Sequence, residues 1–511
     1  MPDTQSNNKR IAKNAIMLYI RMFVTMLISL YTSRIVLQVL GVTDYGIYNV
    51  VAGIVSLMGF LNGTMSTATT RFLTFDLGKR DDNLLRNTYS MCIMIFGLLS
   101  VIFVLLSETI GLWFLNTQMT IPADRITAAN FVYQFAVLSS ITGLMRATYN
   151  SLVIAHEDFG FFTYINIAES ALKLIICFVI MSVSIDKLAF YSFLMFLVFA
   201  LSFGVQFLWC RSKYEEASFA WFWNKPLFKE ILSYSGWNLF GSMSSMAKDT
   251  GLNVILNMFF APAVNAAYGI ASQVNGVVYQ FFASFYNAVN PQVIKYYAQE
   301  DMKNMMDLVF RSSRFSFYLI LLLSVPIAIE APTLISFWLG HVPEHVVSFI
   351  RLIVIITAID ATANMIDTSA FATGNIKLYQ ATVGLISLLN LPLSYIALSK
   401  GAAPEMVFAI SLGLSLFAFF ARLWAVNIVM DFPVKDYLLM VCSKILLVTV
   451  FSVIIPLALH VVWHAGLLSA IVNCLVSVII SIIVMLTIGM NKTERQSILS
   501  LISNKIGQLV I

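Results

Sequence analysis

The stretch ILLVTVFSVIIPLALHVVWHAGLLSAIVNCLVSVIISIIVMLTIGMN, residues Ile445–Asn491, decides the fold class, because its 47 residues contain no Asp, Glu, Lys or Arg. About 20 apolar residues cross the hydrocarbon core of a bilayer, so this run is long enough for two passes. Working outward, Tyr45–Thr70, Asn87–Ser107, Leu188–Cys210 and Thr250–Ile294 are equally free of charge, and Thr250–Ile294 is also long enough for two passes. Backbone amides in lipid have to satisfy one another, which leaves helices or closed barrels. Runs this long without polar alternation are helical, since barrel strands alternate lipid-facing and lumen-facing residues over about ten positions. Composition agrees: 59% of the residues are hydrophobic and 11% charged, with a mean hydropathy of +0.84. Soluble domains carry about 25% charged residues. A soluble fold could not hide this much apolar surface.

Polar breaks divide the chain into fourteen expected helices, near residues 11–40, 45–73, 86–115, 123–155, 161–185, 187–213, 230–260, 264–297, 305–339, 347–373, 377–399, 404–430, 434–462 and 465–489. Alternate connections are rich in cations: Lys9, Arg10 and Lys13, Lys79, Arg80 and Arg86, Arg211 and Lys213, Lys225 and Lys229, Lys303, Arg311 and Arg314, Lys377, Lys435, and Lys492 with Arg495 and Lys505. The opposite connections carry little beyond Arg125, Lys187 and Lys400. The positive-inside rule then predicts a multi-pass protein with both termini cytoplasmic. It also accounts for the net charge of +5 without nucleic acid, because the excess faces an anionic leaflet. The basic start, residues 1–14, runs into a segment too long for a signal-peptide core and reads as retained. Cys92, Cys177, Cys210, Cys442 and Cys474 lie in or beside apolar helices without C-x-x-C spacing and read as small buried hydrophobes.

An internal repeat is visible. Tyr45-Gly46-Ile47, followed by Val51 and Gly53, recurs as Tyr268-Gly269-Ile270, followed by Val274 and Gly276, at an offset of 223. Trp113 matches Trp338 at 225, and Arg71 matches Lys295 at 224. These landmarks predict two copies of one six-helix unit, residues 1–215 and 216–430, related by an axis along the membrane normal around a central cavity. Residues 431–511 then hold two additional helices and an interfacial tail. In that tail Ile498, Ile502, Ile506 and Leu509 share one side of a short helix.

Several turns carry a family resemblance. Leu40-Gly41-Val42-Thr43-Asp44-Tyr45-Gly46-Ile47-Tyr48 forms the first expected outer turn. The fourth helix exits through Arg146-Ala147-Thr148-Tyr149-Asn150-Ser151, Ile154-Ala155-His156-Glu157 and Phe159. The ninth ends in Phe337-Trp338-Leu339-Gly340, and the tenth exits through Ala372-Thr373-Gly374-Asn375-Ile376-Lys377. Together these resemble the Wzx-type polysaccharide and O-antigen repeat-unit flippases of the multidrug/oligosaccharidyl-lipid/polysaccharide (MOP) exporter superfamily. The resemblance covers the whole chain. It implies an all-α polytopic membrane protein of about 14 transmembrane helices, with two six-helix lobes (MATE-like) plus two extra C-terminal helices. It implies location in a bacterial inner membrane and alternating access, with undecaprenyl-diphosphate-linked oligosaccharide as substrate. Partners would be membrane lipids, a polysaccharide polymerase and glycosyltransferases. No cofactor is implied; a proton or sodium gradient would supply any coupling.

Ionisable residues at membrane depth mark candidate sites. Arg21 lies about ten residues into the first helix, roughly 15 Å deep and near the midplane. It is the first candidate for substrate diphosphate. Lys248, past the middle of the seventh helix, is the second candidate and lies beside Asp249, which can neutralise it. On the fifth helix Glu169 and Lys173 are four apart and share a face. Lys173 is read as a substrate cation or as the partner of Glu169. Asp360 and Asp367, seven apart on the tenth helix, either take up a coupling cation or proton or pair with a base. Arg34 and Arg351 lie near outer helix ends, within snorkelling reach of the surface. Counted this way, mid-membrane acids match the bases. Pro326, Glu330 and Pro332 are expected to interrupt and kink the ninth helix. The pairs His341/His345 and His460/His464 have i,i+4 spacing but lack further metal ligands. Nothing matches a P-loop, a zinc ribbon or a nucleophile–base arrangement, and no break is long enough for a soluble catalytic domain, so the reading is of a non-enzyme. Two competing readings are a cation-coupled multidrug antiporter of the same superfamily and a non-transporting scaffold for polysaccharide enzymes. An antiporter depends on its carboxylates, a flippase on its cations, and a scaffold on neither.

Overall fold

The computed structural model describes residues 4–56, 59–117, 119, 121–260, 262–340, 342–462, 466–492 and 494–496. The described residues are helical almost throughout and contain no strand. The helices are α1 (Thr4–Ser56), α2 (Gly59–Lys79), α3 (Asp82–Thr117), α4 (Ile126–Ala155), α5 (Phe159–Met181), α6 (Lys187–Lys213) and α7 (Lys225–Phe259). They continue as α8 (Pro262–Ala298), α9 (Met302–Leu339), α10 (Val346–Thr373), α11 (Lys377–Ser399), α12 (Met406–Met430), α13 (Val434–Val462) and α14 (Leu467–Gly489). Eleven helices among the described residues are long and apolar enough to cross a membrane. The other three are α2, α7 and α8, whose sequences are diluted by Thr, Ser, Asn and Gln.

Two helices meet at the expected turn, Leu40–Tyr48, across a kink at Gly41 (φ 77°, ψ 170°), a conformation that a Cβ would strain. The break is one non-helical residue rather than a loop, so α1 is labelled as a single element. Another expectation needs correction: Pro326 and Pro332 do not interrupt α9, which runs on to Leu339. Pro332 has no N–H, so the carbonyl of Ala328 four residues earlier lacks its helical donor. Arg351 of α10 donates to it through Nε at 2.9 Å. The cation read as snorkelling thus repairs a proline gap. Arg34's side chain, His341, His464 and the tail helix of residues 498–509 lie outside the described residues.

The chain divides into two compact units, Met1–Leu239 with Asn287–Asp301, and Phe240–Tyr286 with Met302–Ile511. Helices α7 and α8 thus contribute to both. Within the first unit, α1 packs on α5, α2 on α4, α3 on α4, and α4 on α6. Within the second, α9 packs on α10, α10 on α12, and α11 on α12, while α13 and α14 pack on each other and on α9. Individual hydrogen bonds repeat this pattern. Asn62 donates to the carbonyl of Gly143 at 3.5 Å, and Thr368 donates to the Tyr286 hydroxyl at 3.1 Å, at offsets of 224 and 225 residues. Those are the offsets of the sequence repeat.

The two C-terminal helices turn small polar groups inward. Ser452, Asn473, Ser477 and Ser481 are buried, while Leu446, Phe451, Ile454, Leu475 and Ile479 are exposed. That is the arrangement expected of helices whose outer solvent is lipid. In α3 a π segment at Ser107–Gly111 leaves the Ser107 carbonyl to accept from the Tyr133 hydroxyl at 2.7 Å. A Cβ on Gly111 would lie 2.0 Å from that hydroxyl and would push it off the Ser107 carbonyl.

One end of the first unit is tied by Arg125, which precedes α4. It donates to Asp44 of α1 through Nε at 2.8 Å and to Asp186, before α6, through NH1 at 2.6 Å. The second unit has a counterpart at offsets of 220 and 219 residues, His345 with Glu405 at 2.6 Å. Asp186 also caps α6 by accepting from the Leu188 and Ala189 amides, both at 3.0 Å. Burial pushes its carboxyl up, but those amides and Arg125 outweigh burial and hold it below the usual carboxylate range. A depressed carboxylate stabilises the fold at neutral pH, and that contribution disappears as pH falls through its folded value. Asp186→Asn keeps the capping acceptor and removes the charge. The thermal midpoint of the variant should therefore fall below wild type at pH 7, and the gap should close as pH drops below about 4. A gap constant with pH would show that the charge contributes nothing.

Candidate functional site

Two charged clusters lie at membrane depth, one in each unit. In the first, Arg146 of α4 and Lys173 of α5 converge on Glu169. The Arg146 guanidinium donates through NH1 to Oε2 at 2.6 Å, and the Lys173 ammonium donates to Oε1 at 2.8 Å. Arg146 Nε also donates to Gln206 of α6 at 2.9 Å, and Gln206 donates on to Asn150 at 2.7 Å. Two cations share one acid, so the cluster carries a surplus positive charge. Lys173, the more exposed of the two, lies 4.7 Å from the Phe199 ring centroid.

Arg21 is the twelfth of twenty residues in the apolar span Arg10–Ser29. Its guanidinium lies over the Phe162 ring of α5, 4.9 Å from the centroid. No carboxylate pairs with it among the described residues. A cation over an aromatic face is held by the ring quadrupole yet keeps its N–H edge free to donate.

In the second unit Asp360 and Asp367 of α10 face Arg422 of α12. The Arg422 NH1 is 3.5 Å from Asp360 Oδ1, and its Nε is 3.4 Å from Asp367 Oδ1. Asp367 also accepts a hydrogen bond from the Tyr379 hydroxyl at the start of α11. Lys248 of α7 is 3.6 Å from Asp249, whose side chain is 66% exposed. Lys248, Asp360 and Arg422 line one polar cavity of 70 Å³, together with Ser245, Ser387, Asn390, Ser411 and Ser415. α7 and α11 pack closely: Cβ atoms on Gly241 and Gly251 of α7 and Gly384 of α11 would lie 1.9, 2.5 and 2.7 Å from side-chain atoms of Gln380, Leu391 and Phe240. Beside α13 a larger cavity of 710 Å³ is lined almost entirely by apolar residues of α9, α10, α12 and α13, among them Phe317, Leu321, Phe419, Leu446 and Val453.

The structure thus brings Lys248, Asp360 and, through Arg422, Asp367 into one cluster. It leaves Asp249 at the edge and joins Lys173 to Glu169. Arg422 is a residue sequence reading missed, and Arg146 was read only as part of the fourth helix's exit motif, not as a site residue; both change the charge count. Each sits in an apolar run with no acid at helical spacing, so no local pattern marked either as a charged partner. Among the described residues there is no group of three or more His, Cys, Asp or Glu side chains placed to hold a metal ion.

No family model matches the sequence, and no curated protein matches it. Solved structures do. A single-site mutant of a MATE protein superposes with a TM-score of 0.71 at 13% identity, covering 84% of this chain and 97% of its own. A multidrug-resistance MATE family transporter of the MOP superfamily, in an outward-facing conformation, gives 0.70 at 12% identity over 83% and 97%. A MOP superfamily transporter from Pyrococcus furiosus, described as having a binding pocket of reverse polarity, gives 0.68 at 12% over 84% and 96%. The chain is an all-α polytopic membrane protein with a MATE-like fold.

Proposed function

We propose that this protein is a flippase that moves an undecaprenyl-diphosphate-linked oligosaccharide repeat unit across a bacterial inner membrane by alternating access. The observation that carries this reading is Arg21, a guanidinium in mid-span without a carboxylate partner among the described residues. Desolvating a cation is costly unless something anionic compensates it. A lipid-linked diphosphate would provide that compensation at each transport cycle. Arg146, Lys173 and Glu169 add a surplus positive charge in the same unit. The apolar cavity beside α13 is suited to a polyprenyl chain that stays with lipid while the sugar passes through water.

The competing antiporter reading draws on the MATE-like fold. Its coupling cation would need the α10 carboxylates, but Arg422 already provides their counter-charge. Export measured on Arg21 variants separates the readings. Arg21→Ala should lower glycan export roughly 10- to 100-fold with normal membrane protein levels, the effect of losing one charge-assisted contact of about 1.5–3 kcal/mol. Arg21→Lys should recover only part of it, because an ammonium lacks the bidentate fork. Normal export by Arg21→Ala, or extrusion of organic cations that depends on Asp360, would overturn the proposal.

A further inference from the structure

We propose that Lys248 and Arg422 form an anion site that the chain keeps closed with its own acid: Asp360 is the resident counter-ion, and a phosphate group has to displace it to bind. The phosphate class rests on the flippase reading; the internal competition rests on geometry alone.

Charge-assisted hydrogen bonds normally measure about 2.7–2.9 Å. Other ion pairs in this chain are about that short or shorter: Arg146–Glu169 at 2.6 Å, Lys295–Glu157 at 2.7 Å and Lys173–Glu169 at 2.8 Å. Arg422 is held at 3.5 Å from Asp360 and 3.4 Å from Asp367 instead, and Lys248 at 3.6 Å from the exposed Asp249. The Arg422 Nε is moreover buried without a hydrogen-bond acceptor. An unsatisfied buried donor on a guanidinium is costly, and a second acceptor in the cavity would relieve it.

The two acids are not equivalent. Asp367 is fixed by the Tyr379 hydroxyl, whereas Asp360 is the more exposed, and its carboxylate pairs with Arg422 at the longer distance. Asp360 is therefore the group that can swing aside. If it does, Lys248 and Arg422 are the charged donors left in the cavity, because the Ser245 and Ser387 hydroxyls donate to the carbonyls of Gly241 at 3.3 Å and Val383 at 3.0 Å. The present cavity of 70 Å³ is a tenth of the apolar one beside α13, which suits a compact anionic head rather than a bulky group. A guanidinium fork matches phosphate oxygens two at a time, and an ammonium serves as a point charge beside it. Binding is then an exchange of one anion for another. Affinity stays moderate and release stays possible, because Asp360 returns as the phosphate leaves.

The test is calorimetric binding of inorganic pyrophosphate to the purified full-length protein at low salt. Asp360→Asn should tighten binding at least about tenfold over wild type. Arg422→Gln should abolish it in both the wild-type and the Asp360→Asn background, and Lys248→Gln should weaken it. Should Asp360→Asn yield no folded protein, Asp360→Glu supplies the opposite reading: its longer arm reaches Arg422 more closely and should weaken pyrophosphate binding. Unchanged or weaker binding by Asp360→Asn, unchanged or tighter binding by Asp360→Glu, or tight binding that survives Arg422→Gln, would overturn the site. None of these outcomes depends on export. Tightening by Asp360→Asn alongside export independent of Arg21 would sink the flippase reading and leave the site standing. The reverse pair of results would sink the site and leave the flippase.

Discussion

Glu157→Ala should cost the first unit about 3–5 kcal/mol and most of the folded yield, the usual penalty for stranding a buried charge. The Glu157 side chain is fully buried in the turn between α4 and α5. It accepts from the Lys295 ammonium at 2.7 Å and from Gln292 at 2.5 Å through Oε1, and it pairs with Arg10 through Oε2 at 3.0 Å. Its removal leaves the Arg10 and Lys295 cations without their shared carboxylate. The backbone adds to the damage. Glu157 has φ 62°, so the turn is already in a conformation disfavoured for a residue with a Cβ and persists because the side chain is held. Glu157→Gln keeps the acceptor oxygen and should lose less, and Lys295→Met should recover part of the stability of Glu157→Ala by removing one stranded charge. Thermal unfolding and gel-filtration yield of the four proteins check this. Equal midpoints for wild type and Glu157→Ala would mean that the three donors are satisfied by water.

Glu169→Ala should be comparably harmful, about 3–5 kcal/mol, because it strands both Arg146 and Lys173 inside the membrane-spanning part of the first unit. Arg146 retains Gln206, so Lys173→Met in the same chain should restore roughly half of the loss. The single change Lys173→Met decides the remaining question about that lysine. A substrate cation, once removed, lowers export at normal protein level. A mere partner of Glu169 leaves export per folded molecule unchanged and lowers only the amount of protein. Folded yield and export therefore have to be measured together.

What was legible in the sequence is what depends on periodicity and composition. Charge-free runs marked the helices, and the offsets of 223 to 225 at Tyr45, Arg71 and Trp113 suggested a repeat; the Asn62–Gly143 and Tyr286–Thr368 bonds have offsets of 224 and 225. The pair Glu169–Lys173 was readable because one helical turn separates its members. The pairs Arg422–Asp360 and Arg146–Glu169 were not, since their members are 62 and 23 residues apart and meet only through helix packing. The break at Gly41 was legible for a different reason. A run of Gly, Thr, Asp and Gly has the composition of a turn, and two helices meet there through one residue with positive φ. Arg351 looked like a surface anchor because the carbonyl it caps is exposed by a proline on another helix.

The division of α8 between the units constrains how the protein can be recombined. Its residues up to Tyr286 belong to the second unit, but Asn287–Asp301 belong to the first, where Gln292 and Lys295 complete the shell of Glu157 and Ala298 lies against Gly78. The linker before α7 is the natural seam for a chimaera that borrows the second half of a homologue with another substrate. A crossover there would import a foreign end of α8 into the host's first unit and confront Arg10 and Glu157 with unmatched side chains. A hybrid that respects the units would instead join its parents after Leu239 and return to the host sequence for residues 287–301, making the exchange discontinuous in the gene.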